Sequence, residues 1–177
     1  MRSFLAPSPS HLDAKRFPFP NPVNETSARL VAAGVVAISA LYLLTGSTLV
    51  LVALTYGFAA RVATGPAFSP LAQLATRVIT PRLNVAHKFV PGPPKRFAQT
   101  IGLAFASAAL VLVLLDNSGA AQFVITALIV AATLESAFAI CLGCIMFSFL
   151  MKIGVIPQSV CEACNDITLR APAETSN

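Results

Sequence analysis

Between Leu30 and Ala60 the chain carries no charged side chain, and the polar turn Thr45-Gly46-Ser47 is the main interruption. A bilayer core about 30 Å thick is crossed by roughly 20 helical residues. The run is too long for one such helix and suits two, predicted over about 27–45 and 48–64. A second apolar region opens at Lys95-Arg96-Phe97, is broken by Asn117-Ser118-Gly119 and continues to Lys152. It predicts spans over about 97–115 and 120–150. Short turns inside each pair and a longer polar stretch between the pairs give an up-down bundle. Gly34, Ala37 and Ala40 on the first span, and Gly57 and Ala60 on the second, are small enough for close helix approach. No internal repeat is present, so an inverted-repeat transporter has no support.

The polar stretches carry their own signals. Asn24 reads as a helix N-cap, with Glu25 in the first turn complementing the positive helix end. Ser69-Pro70 is a cap followed by proline at the first helical position. After it, Leu71, Leu74, Ala75, Val78 and Ile79 recur at helical spacing. They predict a short amphipathic helix on the membrane surface, with Arg77 toward water. Pro91-Gly92-Pro93-Pro94 reads as a stiff connector. Residues 1–22, with five prolines after Leu5, read as a disordered tail. Residues 153–177 read as a second tail. The expected fold is all-α: a polytopic four-transmembrane-helix up-down bundle over 23–152, with a short amphipathic surface helix in its middle loop.

Composition agrees. Hydrophobic residues make up 56% of the chain and charged residues 11%, whereas a soluble domain carries about a quarter charged residues. There is too little polar surface to cover the molecule in water, so the bilayer is its expected partner. No cleavable signal peptide is read, because the first two dozen residues lack an apolar core. The net charge of +5 is a topology signal, since no Lys or Arg falls in the two short turns. Cations stay on the cytoplasmic side during insertion. Both termini and the middle loop are therefore expected in the cytoplasm, with the protein in the inner membrane. Nucleic acid is not an expected partner.

All four cysteines fall near the C-terminus, as Cys141-Leu142-Gly143-Cys144 and Cys161-Glu162-Ala163-Cys164. Two C-x2-C pairs sixteen residues apart match the spacing of four-thiolate metal sites, where zinc or an iron–sulfur cluster takes such ligands. The same residues could exchange disulfides or relay persulfide sulfur, which requires a lowered thiol pKa. On one continuous fourth helix, Cys141 and Cys144 lie toward the negative end of the dipole, which does not stabilise a thiolate. A third reading leaves them as inert packing residues.

Glu135 is an acid within the fourth span, where a carboxylate is usually partnered. Arg61 or Arg29 is the expected partner. On a continuous helix it lies well around the circumference from both Cys141 and Cys144, so it is not assigned to them as a base. His87 beside Lys88 reads as solvated, and His11 is uninformative. No phosphate-binding glycine loop, HExxH motif or nucleophile elbow is present.

Pro22-Val23-Asn24-Glu25, Ser69-Pro70-Leu71, Pro94-Lys95-Arg96-Phe97-Ala98, Leu134-Glu135 and Cys141-Leu142-Gly143-Cys144 together resemble a family of bacterial membrane proteins known as domain of unknown function 4395. The resemblance covers about residues 20–152. It implies a four-span membrane domain, and implies thioredoxin-like or sulfurtransferase proteins as partners, because some relatives occur with them. It supplies no activity. Four-span enzymes that pass electrons from thiols to quinone also carry two cysteine pairs, but theirs meet an oxidising outer compartment. The sequence thus leaves three readings open: thiol or sulfur handling, a structural four-cysteine metal site, and a membrane scaffold.

Overall fold

A computed structural model describes residues 23–83, 89–157 and 160. The expected disordered tail, His11, His87, Lys88, Cys161 and Cys164 lie outside the described residues. The described chain is mostly helical, with α1 (Glu25–Thr45), α2 (Thr48–Thr64), α3 (Pro70–Gln73), α4 (Gly92–Leu114), α5 (Ser118–Phe138) and α6 (Leu142–Lys152).

Local chemistry sets most of these limits. The Asn24 carboxamide oxygen accepts from the Thr26 and Ser27 amides at 2.9 and 3.3 Å, starting α1. Gly46, at φ 64°, ends α1 in the left-handed conformation that favours glycine. Asn117 accepts from the Ala120 amide and starts α5. Ser69 caps α3 through the Ala72 amide. The Gly92-Pro93-Pro94 stretch, expected as a connector, is instead the first turn of α4. Amides there have no intrahelical partner, so proline loses nothing.

Helices α1, α2, α4 and α5 form a closed ring in which α1 packs on α2 and α5, and α4 on α2 and α5. Their shared core joins Val35 and Tyr42 of α1, Leu51 and Phe58 of α2, Ala106 of α4 and Ile125 of α5. Gly102 lets the Phe58 ring reach the α4 backbone, since a Cβ there would lie 2.2 Å from that ring. An antiparallel pairing of Val23–Asn24 (β1) with Phe89–Val90 (β2) ties the start of α1 to that of α4.

Three helices, α1, α4 and α5, are long and apolar enough to cross a membrane. Only 28%, 17% and 22% of their most apolar windows are buried inside the protein. The remaining face is apolar and exposed, with Leu44, Leu114 and Phe123 at 70% or more exposure. An apolar surface of that extent calls for lipid. The 17-residue α2 is shorter but also apolar.

One expected element takes a particular form and one expectation is corrected. The surface helix forms, as α3 running on into a π-helical turn (Leu74–Ile79) and a 3-10 turn (Thr80–Arg82). Its buried residues are Ala72 and Ala75, packed on Val31, and Thr80, while Leu74 and Val78 face outward. The seam is lined by alanine because the segment lies close on α1, where Leu71 covers Gly34.

The expected span 120–150 is two helices. Ala139 adopts φ 58°, and its amide and that of Ile140 bond back to Glu135 and Leu134. The Arg29 guanidinium caps the same end, donating from Nε and Nη2 to the Ser136 and Ala137 carbonyls, both at 3.0 Å. Helix α6 then packs across the first turns of α4, with the Phe97 and Phe147 rings 5.5 Å apart. Gly143 makes this possible, because a Cβ there would lie 2.6 Å from the Ala98 Cα.

Backbone cannot retreat as a side chain can. Gly143→Ala should therefore destabilise the full chain in detergent by about 1–3 kcal/mol, as overpacked sites do. Gly119→Ala, with open space around the added carbon, should leave the melting temperature unchanged or raised. Equal melting temperatures for the two variants would refute the α4–α6 contact.

Candidate functional site

The ring has one polar end. The starts of α1 and α4 and the ends of α2 and α5 bring Arg29, Arg61, Lys95, Arg96 and Glu135 together there, joined by direct contacts. The opposite end holds the Gly46-Ser47 and Asp116-Asn117 turns and no cation.

Glu135, near the end of α5, meets Lys95, in the first turn of α4, at Nζ–Oε1 2.5 Å. The two side chains are only 16% and 10% exposed. This corrects the expected pairing with Arg61 or Arg29. Arg29 is spent on the α5 carbonyls. Arg61 Nε donates to Gln99 Oε1 at 2.8 Å, and its Nη1 to Ser69 Oγ at 3.2 Å. Sequence reasoning missed Lys95 because Pro93 and Pro94 were read as ending the connector rather than starting the helix. Proline at those positions was the signal that placed Lys95 a full turn inside.

The break after α5 also moves the cysteines. Cys141 is the N-cap of α6, and its sulfur accepts from the Cys144 amide at 3.4 Å. The pair therefore opens a helix instead of lying near the end of one. The expected phase relation to Glu135 fails for the same reason, since the chain reverses twist at Ala139 between them.

Cys141 is buried and Cys144 half-buried, both as free thiols. A hydrogen bond from the Cys144 thiol holds Cys141 below the ordinary thiol range. Lys95 and the Cys144 amide act the same way, against burial and the Glu135 charge. Cys144 is pushed up, first by that same hydrogen bond and then by burial. Of the two thiols, Cys141 is the one that gives up its proton more readily.

Two cavities meet at Cys141. A cleft of about 530 Å³ is lined by Glu25, Pro94, Lys95, Ile140, Cys141 and Cys144. A mostly apolar cavity of about 440 Å³ runs into the ring, lined among others by Val35, Phe58, Phe105, Glu135, Cys141 and Met146. Among the described residues no three His, Cys, Asp or Glu side chains come together as metal ligands. The expected zinc or iron–sulfur set of Cys141, Cys144, Cys161 and Cys164 extends outside the described residues.

No curated protein and no solved structure matches the chain. A family model described as domain of unknown function (DUF4395) matches residues 23–152. The match takes in every helix from α1 to α6, the Lys95–Glu135 pair and Cys141 with Cys144, and stops before Cys161. The chain belongs to the DUF4395 family.

Proposed function

We propose that this chain is a four-span protein of the inner membrane whose Cys141–Cys144 pair exchanges disulfides with a soluble thioredoxin-like dithiol partner. The observation that carries the proposal is Cys141 at the start of α6, accepting the Cys144 amide beside Lys95. Helix N-termini and nearby cations favour thiolates. In the exchange, a partner thiolate attacks Cys144, the more accessible sulfur of the oxidised pair. The Cys141–Cys144 bond breaks and Cys141 leaves as the thiolate, the better leaving group of the two. The partner's second thiolate then attacks its own sulfur in the mixed disulfide, freeing Cys144, which takes up a proton. The partner ends oxidised by two electrons and the pair reduced by two. The reverse sequence reduces the partner.

The topology supports the same reading. With α2 as a fourth span of roughly 26 Å, both short turns lie on one side and every cation of the bundle on the other. The positive-inside rule puts that second side, with the thiols, in the cytoplasm.

Three expectations follow. Alkylation of Cys141 by iodoacetamide, followed by mass spectrometry, should titrate with an apparent pKa below the roughly 8.5 of a free thiol. Glu135→Gln removes an opposing charge and should speed labelling at pH 7. Adding Lys95→Met to that variant should slow it again, because the nearby cation that favours the thiolate is gone. Labelling of an ordinary thiol, indifferent to both changes, would reject a tuned Cys141.

Cys141→Ser should displace thionitrobenzoate from a thioredoxin-like partner that lacks its second thiol and has been activated with Ellman's reagent, leaving a stable Cys144 mixed disulfide. Exchange at the wild-type rate by this variant would sink the proposed chemistry. For orientation, an impermeant maleimide on spheroplasts should label Ser47→Cys in a background free of native cysteines. Arg82→Cys should react only after lysis, and the opposite pattern would place the thiols outside.

A further inference from the structure

Arg61 is only 4% exposed, and among the described residues its Nη2 has no hydrogen-bond partner. Its other nitrogens are occupied by Gln99 and Ser69, and its face lies over the Phe58 ring, 4.5 Å from the centroid. None of these neighbours carries a negative charge. An arginine does not lose its proton in a protein, so among the described residues a buried cation stands here without a counter-ion, an arrangement that is strongly disfavoured.

The space beside it is a cavity of about 70 Å³ whose wall is mostly apolar, with Ser27, Arg61, Thr76, Lys95 and Gln99 as its polar lining. Gln99 spends its carbonyl oxygen on Arg61, which leaves its NH2 as the group to be satisfied. Lys95 spends one of its three protons on Glu135. No carboxylate lines the cavity among the described residues. The hydroxyl protons of its lining are used locally: Thr76 donates to Ala72 O, and Thr80 to Ala75 O, which leaves Ser27 to donate to Thr80. Among the described residues the buried atom of the lining left without a partner is Arg61 Nη2, an N–H donor on a cation, and Gln99 and Lys95 beside it can offer only N–H donors.

We propose that this cavity binds one small oxyanion of the phosphate type, with Arg61 as its main ligand and Gln99 and Lys95 beside it. Its volume suits a single tetrahedral anion. The guanidinium's planar fork matches two oxygens of such a group. The anion's source is either free in solution or the phosphate of a lipid headgroup, since Arg61 lies at the polar end of the bundle. The two sites share Lys95, but the anion site stands or falls without the thiol chemistry.

The test is thermal unfolding of the full chain, delipidated in a maltoside detergent. Ionic strength is held constant with a large organic sulfonate that the cavity cannot admit. Phosphate or sulfate should raise the melting temperature saturably, by roughly 5–10 °C at a hundredfold excess over its Kd. Arg61→Met should abolish the rise, and Gln99→Leu should weaken it at least several-fold in apparent Kd. If Arg61→Met does not fold, the Gln99→Leu comparison decides. A rise produced by phosphatidylglycerol but not by free anions, and lost with the same variants, supports the site and assigns it to a lipid phosphate. The proposal is overturned if neither source stabilises the wild type, or if the variants respond as the wild type does.

Discussion

The ion pair between Lys95 and Glu135 fixes the polar end of this molecule. Two opposite charges 2.5 Å apart and mostly withdrawn from water hold only if each stays opposite the other, because separating them strands a charge in a poor solvent. The pair therefore sets the depth of the first turn of α4 against the last turn of α5. Once that register is fixed, Arg29 lies within reach of the α5 carbonyls and terminates the helix. The chain then turns through Ala139, and Cys141 starts the next helix. Gly143 brings that helix down onto Ala98. The thiol pair owes its position to this sequence of constraints.

Much of the architecture was legible in the chain because its signals are local. Asn24, Gly46, Ser69 with Pro70, and Asn117 each mark a helix limit through a bond or a φ angle within a few residues. The uncharged run from Leu30 to Ala60 and its single turn gave α1 and α2 directly. The apolar, exposed faces of α1, α4 and α5 agree with the composition.

The break after Phe138 was not legible, and the reason is physical. Alanine at positive φ is uncommon, and neither glycine nor proline stands at 139–141. The cause lies across the bundle, in an arginine more than a hundred residues earlier in the chain. Reading through the break reversed the electrostatic sense of Cys141 and Cys144, from a helix end that repels a thiolate to one that attracts it. The only local hint was length, since residues 120–150 exceed what a bilayer needs. Lys95 was hidden similarly, by prolines whose role at a helix start resembles their role in a connector.

The two cavities that meet at Cys141 give the break a chemical meaning. One opens outside the ring beside Lys95, and the other runs between apolar helices. A straight α5 would carry Cys141 away from both.

The helix-start position of Cys141 depends on α6 folding back across α4, and a cross-link measures that directly. Phe97→Cys and Phe147→Cys, in a background with the four native cysteines replaced by serine, should be joined within one chain by a short bismaleimide. Position 147 on a helix continued straight from Glu135 would lie roughly 18 Å beyond it along the axis, out of the reagent's reach. Efficient intramolecular linkage is the result expected. Its absence, in protein that remains folded, would contradict the break and with it the helix-start position of Cys141.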